Sequence, residues 1–296
     1  MRHGPRDMIL DRFALLFMIL LAWPLPEVLG SDFHSPRSSA LGGSGRAGPL
    51  LNDAITLNPS FCSFLPAYSF SANYSLYEGP GYSTPTGPTS HSGQVYNFSV
   101  QDGRTELFQA GASYTRREDG TFIHLGMSKM FLKRYAGGLS GKLIRGRVSE
   151  RFAPEMLFSS TAIFTNWLQI AVVADNLLEL PETAEYGLYR EFILGTKLNV
   201  MGILLAYFDP FWVPALPLEA GGLGYAAGLE FVFFKDFFLR AGNFYNAYVP
   251  FQAIRGKGVG LGLGWVGPRI SVDYGFQRIF EGRQAFSHTF GLTVYF

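Results

Sequence analysis

Few residues in this chain are typed and spaced for bond-making chemistry. The five histidines, at positions 3, 34, 91, 124 and 288, show no ligand spacing, and the single cysteine, Cys62, excludes both a multi-cysteine zinc site and an intrachain disulfide. No metal, no cofactor and no enzymatic activity are therefore expected. Ser287 with His288 and His124 with Ser128 are the Ser/His pairs worth noting, and neither has a clear acid partner at short range. Cys62 reads as an ordinary buried thiol. The chain does carry isolated charges within otherwise apolar or hydroxyl-rich stretches: Lys142, Lys197, Glu230, Arg240 and Asp273. A Lys or Arg in such a setting could hold the carboxylate head of a ligand whose tail lies on apolar residues, because charge-assisted bonds to carboxylates are strong. The alternative is structural: buried charges pair with one another and stiffen the interior. Which applies depends on the elements that carry them.

Those elements alternate with period two. Phe290, Leu292, Val294 and Phe296 share one face and Thr289, Gly291, Thr293 and Tyr295 the other. Val259, Leu261, Leu263 and Trp265 alternate with Gly258, Gly260, Gly262 and Gly264. Tyr68 to Leu76, Tyr96 to Val100, Tyr225 to Phe233 and Ile270 to Phe276 repeat the pattern. Successive strand side chains point to opposite faces, so each segment has one greasy face and one small or polar face. About fourteen such segments are expected between residues 66 and 296, among them 105–116, 168–179, 189–197 and 200–208, with short turns at one end and longer loops at the other, apart from a tight third-to-fourth connection at Arg117–Gly120. Alternation places Ser69, Asn73, Asn97, Lys142, Lys197, Glu230, Arg240, Asp273 and Gln277 on the inner face. The glycine row 258–264 lacks the loop-to-helix context of a nucleotide site and instead suggests a thin wall that something approaches closely.

Composition separates a membrane barrel from a soluble sandwich. Only 16% of the 296 residues are charged, against about 25% in soluble domains, while aromatics alone reach 16%. The polar faces carry Ser, Thr, Gly, Asn and Gln, and the apolar faces carry Tyr, Phe and Trp. That is the inversion of an outer-membrane strand, with aromatic girdles outside and a polar lumen. Hydrocarbon cannot satisfy a backbone N–H or C=O, so every one must be paired within the chain, which forces closure. The expected fold is all-β: a transmembrane, antiparallel, up-and-down barrel of about fourteen strands. A net charge of +1 argues against a nucleic-acid binder.

Arg2, Arg6 and Arg12 precede the thirteen-residue apolar run Phe13–Leu25, and Val28-Leu29-Gly30 closes it. Residues 1–30 therefore read as a cleaved secretory signal peptide, too short an apolar run to span a bilayer. The alternating C-terminal residues Phe290, Leu292, Val294 and Phe296 resemble the signal by which outer-membrane proteins engage their assembly machinery. Residues 31–63 do not alternate; they are rich in Gly, Ser and Pro, and residues 64–296 form the barrel.

Within residues 31–63, Gly45-Arg46-Ala47, Asn52-Asp53-Ala54 and Asn58-Pro59-Ser60 occur in order. This is similar to the N-terminal hatch of FadL-type long-chain fatty-acid channels, with Asn52 in place of an Asp and Ser60 in place of an Ala. Leu139–Arg145, Val173–Leu178, Leu239–Asn243 and Ile270–Gly275 resemble the wider FadL-like group, which includes PorV-type barrels of type IX secretion. The resemblance implies a fourteen-stranded barrel plugged by its N-terminal segment. It also implies an outer-membrane channel taking up hydrophobic small molecules such as fatty acids, gated through Gly45, Arg46, Asn52, Asp53, Asn58 and Pro59. The expected partners are membrane lipid, such a ligand, and the assembly machinery. A PorV-type anchoring or assembly barrel and a purely structural barrel are the alternatives.

Overall fold

The computed structural model describes residues 34–296 except 51, 80–82, 85–86, 89–91, 118–119, 147–151, 185–187, 219–221, 249–254 and 282–284. The expected signal peptide lies outside the described residues. The described residues form sixteen strands: β1 Tyr68–Glu78, β2 Ser83–Thr84, β3 Gly87–Pro88, β4 Ser92–Asp102, β5 Gln109–Arg117, β6 Gly120–Phe131, β7 Tyr135–Gly146, β8 Phe152–Ile163, β9 Leu168–Asp175, β10 Glu191–Val200, β11 Leu204–Trp212, β12 Leu223–Phe233, β13 Phe237–Tyr248, β14 Arg255–Val266, β15 Ile270–Ile279 and β16 Ala285–Tyr295. Apart from the small β2–β3 hairpin, all belong to one closed antiparallel barrel in which each of fourteen strands pairs with its neighbours in sequence and β1 closes on β16. The closing seam is continuous, with Ser69 opposite Tyr295 and Glu78 opposite Phe286. Closure leaves no strand edge for hydrocarbon to strand.

The polarity is inverted as expected. Leu261 and Leu263, pointing outward, are 54% and 55% exposed, whereas Ser75, Lys142 and Glu230, pointing inward, are at most 1% exposed. Each inward residue named from the alternation faces the interior, and Phe290, Leu292 and Phe296 face out. No helix among the described residues is long and apolar enough to cross a membrane.

One end of the barrel carries mostly short turns and the other mostly longer connections, the exceptions being β4–β5 with six intervening residues and β5–β6 with two; these are called the turn end and the loop end. At the turn end, three-residue turns join Phe131 to Tyr135 and Phe233 to Phe237, and Leu132-Lys133 and Phe234-Lys235 within them have positive φ. Several strand limits differ from the alternation reading by three or four residues, and the local cause is visible at three places. Asp102 Oδ1 and Oδ2 accept from the Arg104 N–H and the Thr105 hydroxyl at 2.9 and 2.8 Å. This side-chain turn holds residues 103–108 out of the ladder, so β5 starts at Gln109 and not near Thr105. Asn199 Oδ1 accepts from Gly202 N at 2.8 Å, which moves the β10–β11 turn past Val200. Asn176, with φ +50°, ends β9 at Asp175, short of Glu179.

The N-terminal segment has its own short elements: α1 Pro36–Ala40, α2 Asp53–Leu57 and a 3-10 helix Pro59–Phe64. Ser35 caps α1, its hydroxyl accepting from Ser38 N at 3.1 Å. The segment winds past the inner wall from Pro36 against Gly275 and Gly291, through Leu41 against Gly242 and Arg46 against Gly195, to Ser60 against Gly138. At Gly242, Gly260 and Gly138 a methyl group would collide with the backbone of Leu41, Ser39 and Ser60. Of the glycine row read from the sequence, Gly260 and Gly262 meet the segment at Ser39 and Ala40, while Gly258 makes room for Phe244 and Gly264 for Arg240 and Asp273.

Candidate functional site: the barrel interior

The interior has three layers along the barrel axis. The loop end carries an apolar collar of inward residues that includes Tyr77, Phe122, Phe211 and Phe244, each at most 7% exposed. These sit on the loop-side halves of β1, β6, β11 and β13. Val95, Ile144, Leu157 and Ile193 complete its packing.

The middle layer holds the N-terminal segment in two chemically different halves. The first half is bound by charge. Glu230 Oε2 accepts from Arg37 Nε at 3.2 Å and from Arg240 Nε at 2.6 Å, and Glu230 Oε1 accepts from the Tyr207 hydroxyl at 3.2 Å. Arg37 Nη2 also donates to the Tyr207 oxygen at 2.8 Å. Arg240 Nη1 continues to Asp273, reaching from β13 to β15 because Gly264 between them has no side chain to block the guanidinium. Asp209 Oδ2 accepts the backbone N–H groups of Gly45 and Arg46, both at 2.9 Å, with Arg46 Nη1 at 3.6 Å.

The second half is held by neutral groups. Asn52 Nδ2 donates to the Ser99 carbonyl at 2.8 Å, and Asn52 Oδ1 accepts from Ser69. Asn58 Nδ2 donates to Thr161 Oγ1 at 2.8 Å and to the Arg46 carbonyl at 2.6 Å, tying the two halves together. Pro59 follows directly, and Ser60 N donates to Ser159 Oγ at 2.9 Å. Ser63 bonds Gln109 and Ser128 at 2.9 and 2.7 Å.

Burial in this layer shifts two groups of the segment. Asp53, whose carboxylate accepts from the Ser35 hydroxyl at 2.8 Å, is pushed up to about 6 by loss of water, against the pull of Arg37 and of that hydrogen bond. Burial likewise pushes the Cys62 thiol up to about 12, which makes it a poor nucleophile.

At the turn end the interior widens to a cup of about 1030 Å³ lined by Leu50, Leu205, Phe238, Val266 and Tyr295, with Glu230 at its inner limit and Arg104 at its rim.

Of the five charges singled out from the sequence, Glu230, Arg240 and Asp273 meet in one cluster. Lys142 lies in a separate group, 2.6 Å from Asp175 and 3.2 Å from Asn176 Oδ1. Lys197 projects over the Tyr207 ring, 5.9 Å from its centroid, and pairs with no carboxylate among the described residues. Sequence reasoning missed Arg37, Asp209 and Tyr207. Asp209 lay just beyond the expected end of its strand, and Arg37 sits in a stretch without periodicity. The Ser287–His288 pair is split by the pleat: Ser287 points inward, while His288 points outward and bonds the Tyr274 hydroxyl through Nδ1 at 2.7 Å. Ser128, on the same strand as His124, is engaged by Ser63.

No protein-family model and no curated protein sequence matches the chain. Solved structures do. The CymD monoaromatic hydrocarbon channel aligns over 93% of this chain and 99% of its own, with TM-score 0.63 and 11% identity. The Ralstonia pickettii toluene transporter TbuX aligns over 89% and 98%, with TM-score 0.65 and 10% identity. A Pseudomonas aeruginosa FadL homologue aligns over 91% and 99%, with TM-score 0.59 and 10% identity. The chain thus has the FadL-type outer-membrane barrel fold.

Proposed function

We propose that this protein is an outer-membrane channel for hydrophobic small molecules in which residues 34–64 act as a hatch. The observation that carries the reading is the apolar collar of Tyr77, Phe122, Phe211 and Phe244 at the loop end, on the outer side of a lumenal segment anchored by side chains of the wall. Hydrophobic molecules would partition into the collar and then wait on movement of the segment. The resemblance to FadL-type hatches in Gly45-Arg46-Ala47, Asn52-Asp53 and Asn58-Pro59 supports the gating role, as do the names of the similar structures, a hydrocarbon channel and a toluene transporter.

Among the lumen charges, Lys197 is the group we assign to a ligand's carboxylate head, because its ammonium lies over a ring and forms no ion pair among the described residues. Glu230, Arg240 and Asp273 hold the segment in place, and Lys142 braces β7 against the loop after β9. The test is uptake of radiolabelled toluene and of a long-chain fatty acid by cells expressing the protein. Uptake above that of cells lacking it supports the reading, and the preferred compound identifies the ligand class. No uptake of either sinks it.

A second reading is an anchoring barrel for a secreted partner, favoured by a middle layer filled by the segment and its ion pairs. Absence of uptake together with co-purification of a secreted protein would support that one.

A further inference from the structure

One lateral row of side chains on the outer wall is built unlike its surroundings. Successive strand pairings place Tyr96 opposite Arg116, Arg116 opposite Thr121, Thr121 opposite Arg145 and Arg145 opposite Phe152. All five point outward, near the loop ends of β4 to β8, so the row reads aromatic, arginine, hydroxyl, arginine, aromatic. The two arginines flank Thr121 about 10 Å apart, two strand spacings. Arg145 lies over the Phe152 ring at 5.7 Å, and among the described residues neither arginine pairs with a carboxylate.

The depth of the row is set by what lies below it. On β6 the outward residues after Thr121 are Ile123, Leu125 and Met127, and the next is Lys129. Thr121 to Lys129 is about 26 Å of strand, which matches an apolar band of about 25 Å once tilt is allowed for. The arginine row therefore sits at head-group level in the loop-side leaflet.

Directly beneath the β4–β6 part of the row, one outward position down each of these three strands, begins an apolar groove of about 660 Å³. Phe98, Tyr114 and Ile123 line its upper end, Ala112 its thin floor, and Phe70 and Phe296 its far side. Across the barrel, Phe192, Trp212 and Leu223 occupy the outward loop-end positions of β10 to β12, with no cation among them.

We propose that this wall binds one lipid of the loop-side leaflet whose head bears a phosphate monoester. Arg116 and Arg145 would grip the phosphate oxygens from two sides, Thr121 would donate its hydroxyl between them, and an acyl chain would lie in the groove over Ala112. Arginine suits the task because its planar fork matches phosphate oxygens. The aromatic ends, Tyr96 and Phe152, suit the interface between hydrocarbon and water. The site depends on the barrel lying in a membrane and not on what the lumen passes.

The test uses the full purified chain in mixed micelles with equal phosphatidic acid and phosphatidylcholine, and counts retained lipids by native mass spectrometry. The expected preference for phosphatidic acid is about fivefold, as two interfacial charge pairs would supply together. R116Q/R145Q should reduce the preference to none while leaving the heat-modifiable folded band intact. R278Q, removing an outward arginine on β15, should leave it unchanged and serves as the control. Ala112→Phe, which fills the groove floor, should reduce retention of both lipids. Glu118 and Asp119, in the β5–β6 connection, stay unaltered throughout, so their charge is common to every protein compared. No preference in the parent protein, or an undiminished preference in R116Q/R145Q, overturns the proposal.

Discussion

Arg37 and Glu230 stand 193 positions apart in sequence, and the Arg37 guanidinium meets the Glu230 carboxylate at 3.2 Å with both side chains buried. Arg240 shares the same carboxylate oxygen. One acid thus serves an arginine of the lumenal segment and an arginine of the wall, and its loss would strip Arg37 of its bonded carboxylate and leave Arg240 with Asp273 alone.

Glu230→Gln should therefore destabilise the barrel by roughly 3–5 kcal/mol, as expected when one partner of a buried ion pair is removed. The midpoint of heat-modifiability on gels, or of urea unfolding in lipid vesicles, measures this. Arg37→Met should cost less, because Arg240 and Tyr207 remain to satisfy Glu230. A larger loss in R37M than in E230Q would contradict the shared-acid arrangement.

The close approach at Gly260 and Gly242 yields a second expectation. Gly260→Val, whose side chain collides with the Ser39 carbonyl region, should undock the first half of the segment and, through the Asn58–Arg46 tie, loosen the second half without opening the barrel. Cys62, buried and with its thiol raised by burial, serves as the reporter. Its labelling by a neutral maleimide should be negligible in the parent protein and rise at least about tenfold in G260V, in line with loss of protection by local opening. Gly141→Val, at a position where added bulk meets nothing within contact distance, should leave labelling unchanged.

A third concerns pH. Asp53 holds its proton up to about 6 in the docked segment, above the ordinary carboxylate value of 3.8. The docked state binds that proton more tightly than the undocked one. Its contribution to docking is therefore complete below about pH 4 and is lost as pH rises through about 6. Amide exchange protection factors for residues 36–57, which correct for intrinsic rates, should be higher at pH 5 than at pH 7.5. In Asp53→Asn this difference should disappear. Protection that rises with pH would contradict the assignment.

The neutral half of the segment gives a fourth. Asn58 joins the two halves through the Arg46 carbonyl and Thr161, and Pro59 fixes the start of the next turn. N58A/P59A should change uptake of hydrophobic substrate severalfold while the folded band on gels persists. Unchanged uptake would remove both residues from the gate.

Much of this architecture could be read from residue order alone, and the reasons are local. Gly258 to Trp265 shows both faces of a strand in eight residues, because lipid demands bulk on one side, while the segment and inward wall side chains leave room for none on the other. The inward orientation of Lys142, Lys197, Glu230, Arg240 and Asp273 follows from the same parity. Parity, however, says nothing of depth. Whether Arg240 meets Asp273 or Lys142 meets Asp175 depends on register accumulated over many strand pairs. The turns at Leu132-Lys133 and Phe234-Lys235 place bulky residues at positive φ, where Asn or Gly would have signalled a hairpin. Arg37 lies in a Ser- and Gly-rich stretch with no period, and its partner lies on the far side of the sequence.

The most direct measurement locks the segment to the wall. Ser60 Oγ and Thr161 Oγ1 are 2.7 Å apart, so S60C/T161C in a Cys62→Ser background places two thiols within reach of a disulfide. If residues 34–64 gate the channel, uptake of radiolabelled substrate should fall to background when the pair is oxidised and return on adding reductant. Equal uptake by the oxidised and reduced protein, with the crosslink confirmed by mass, would contradict the hatch.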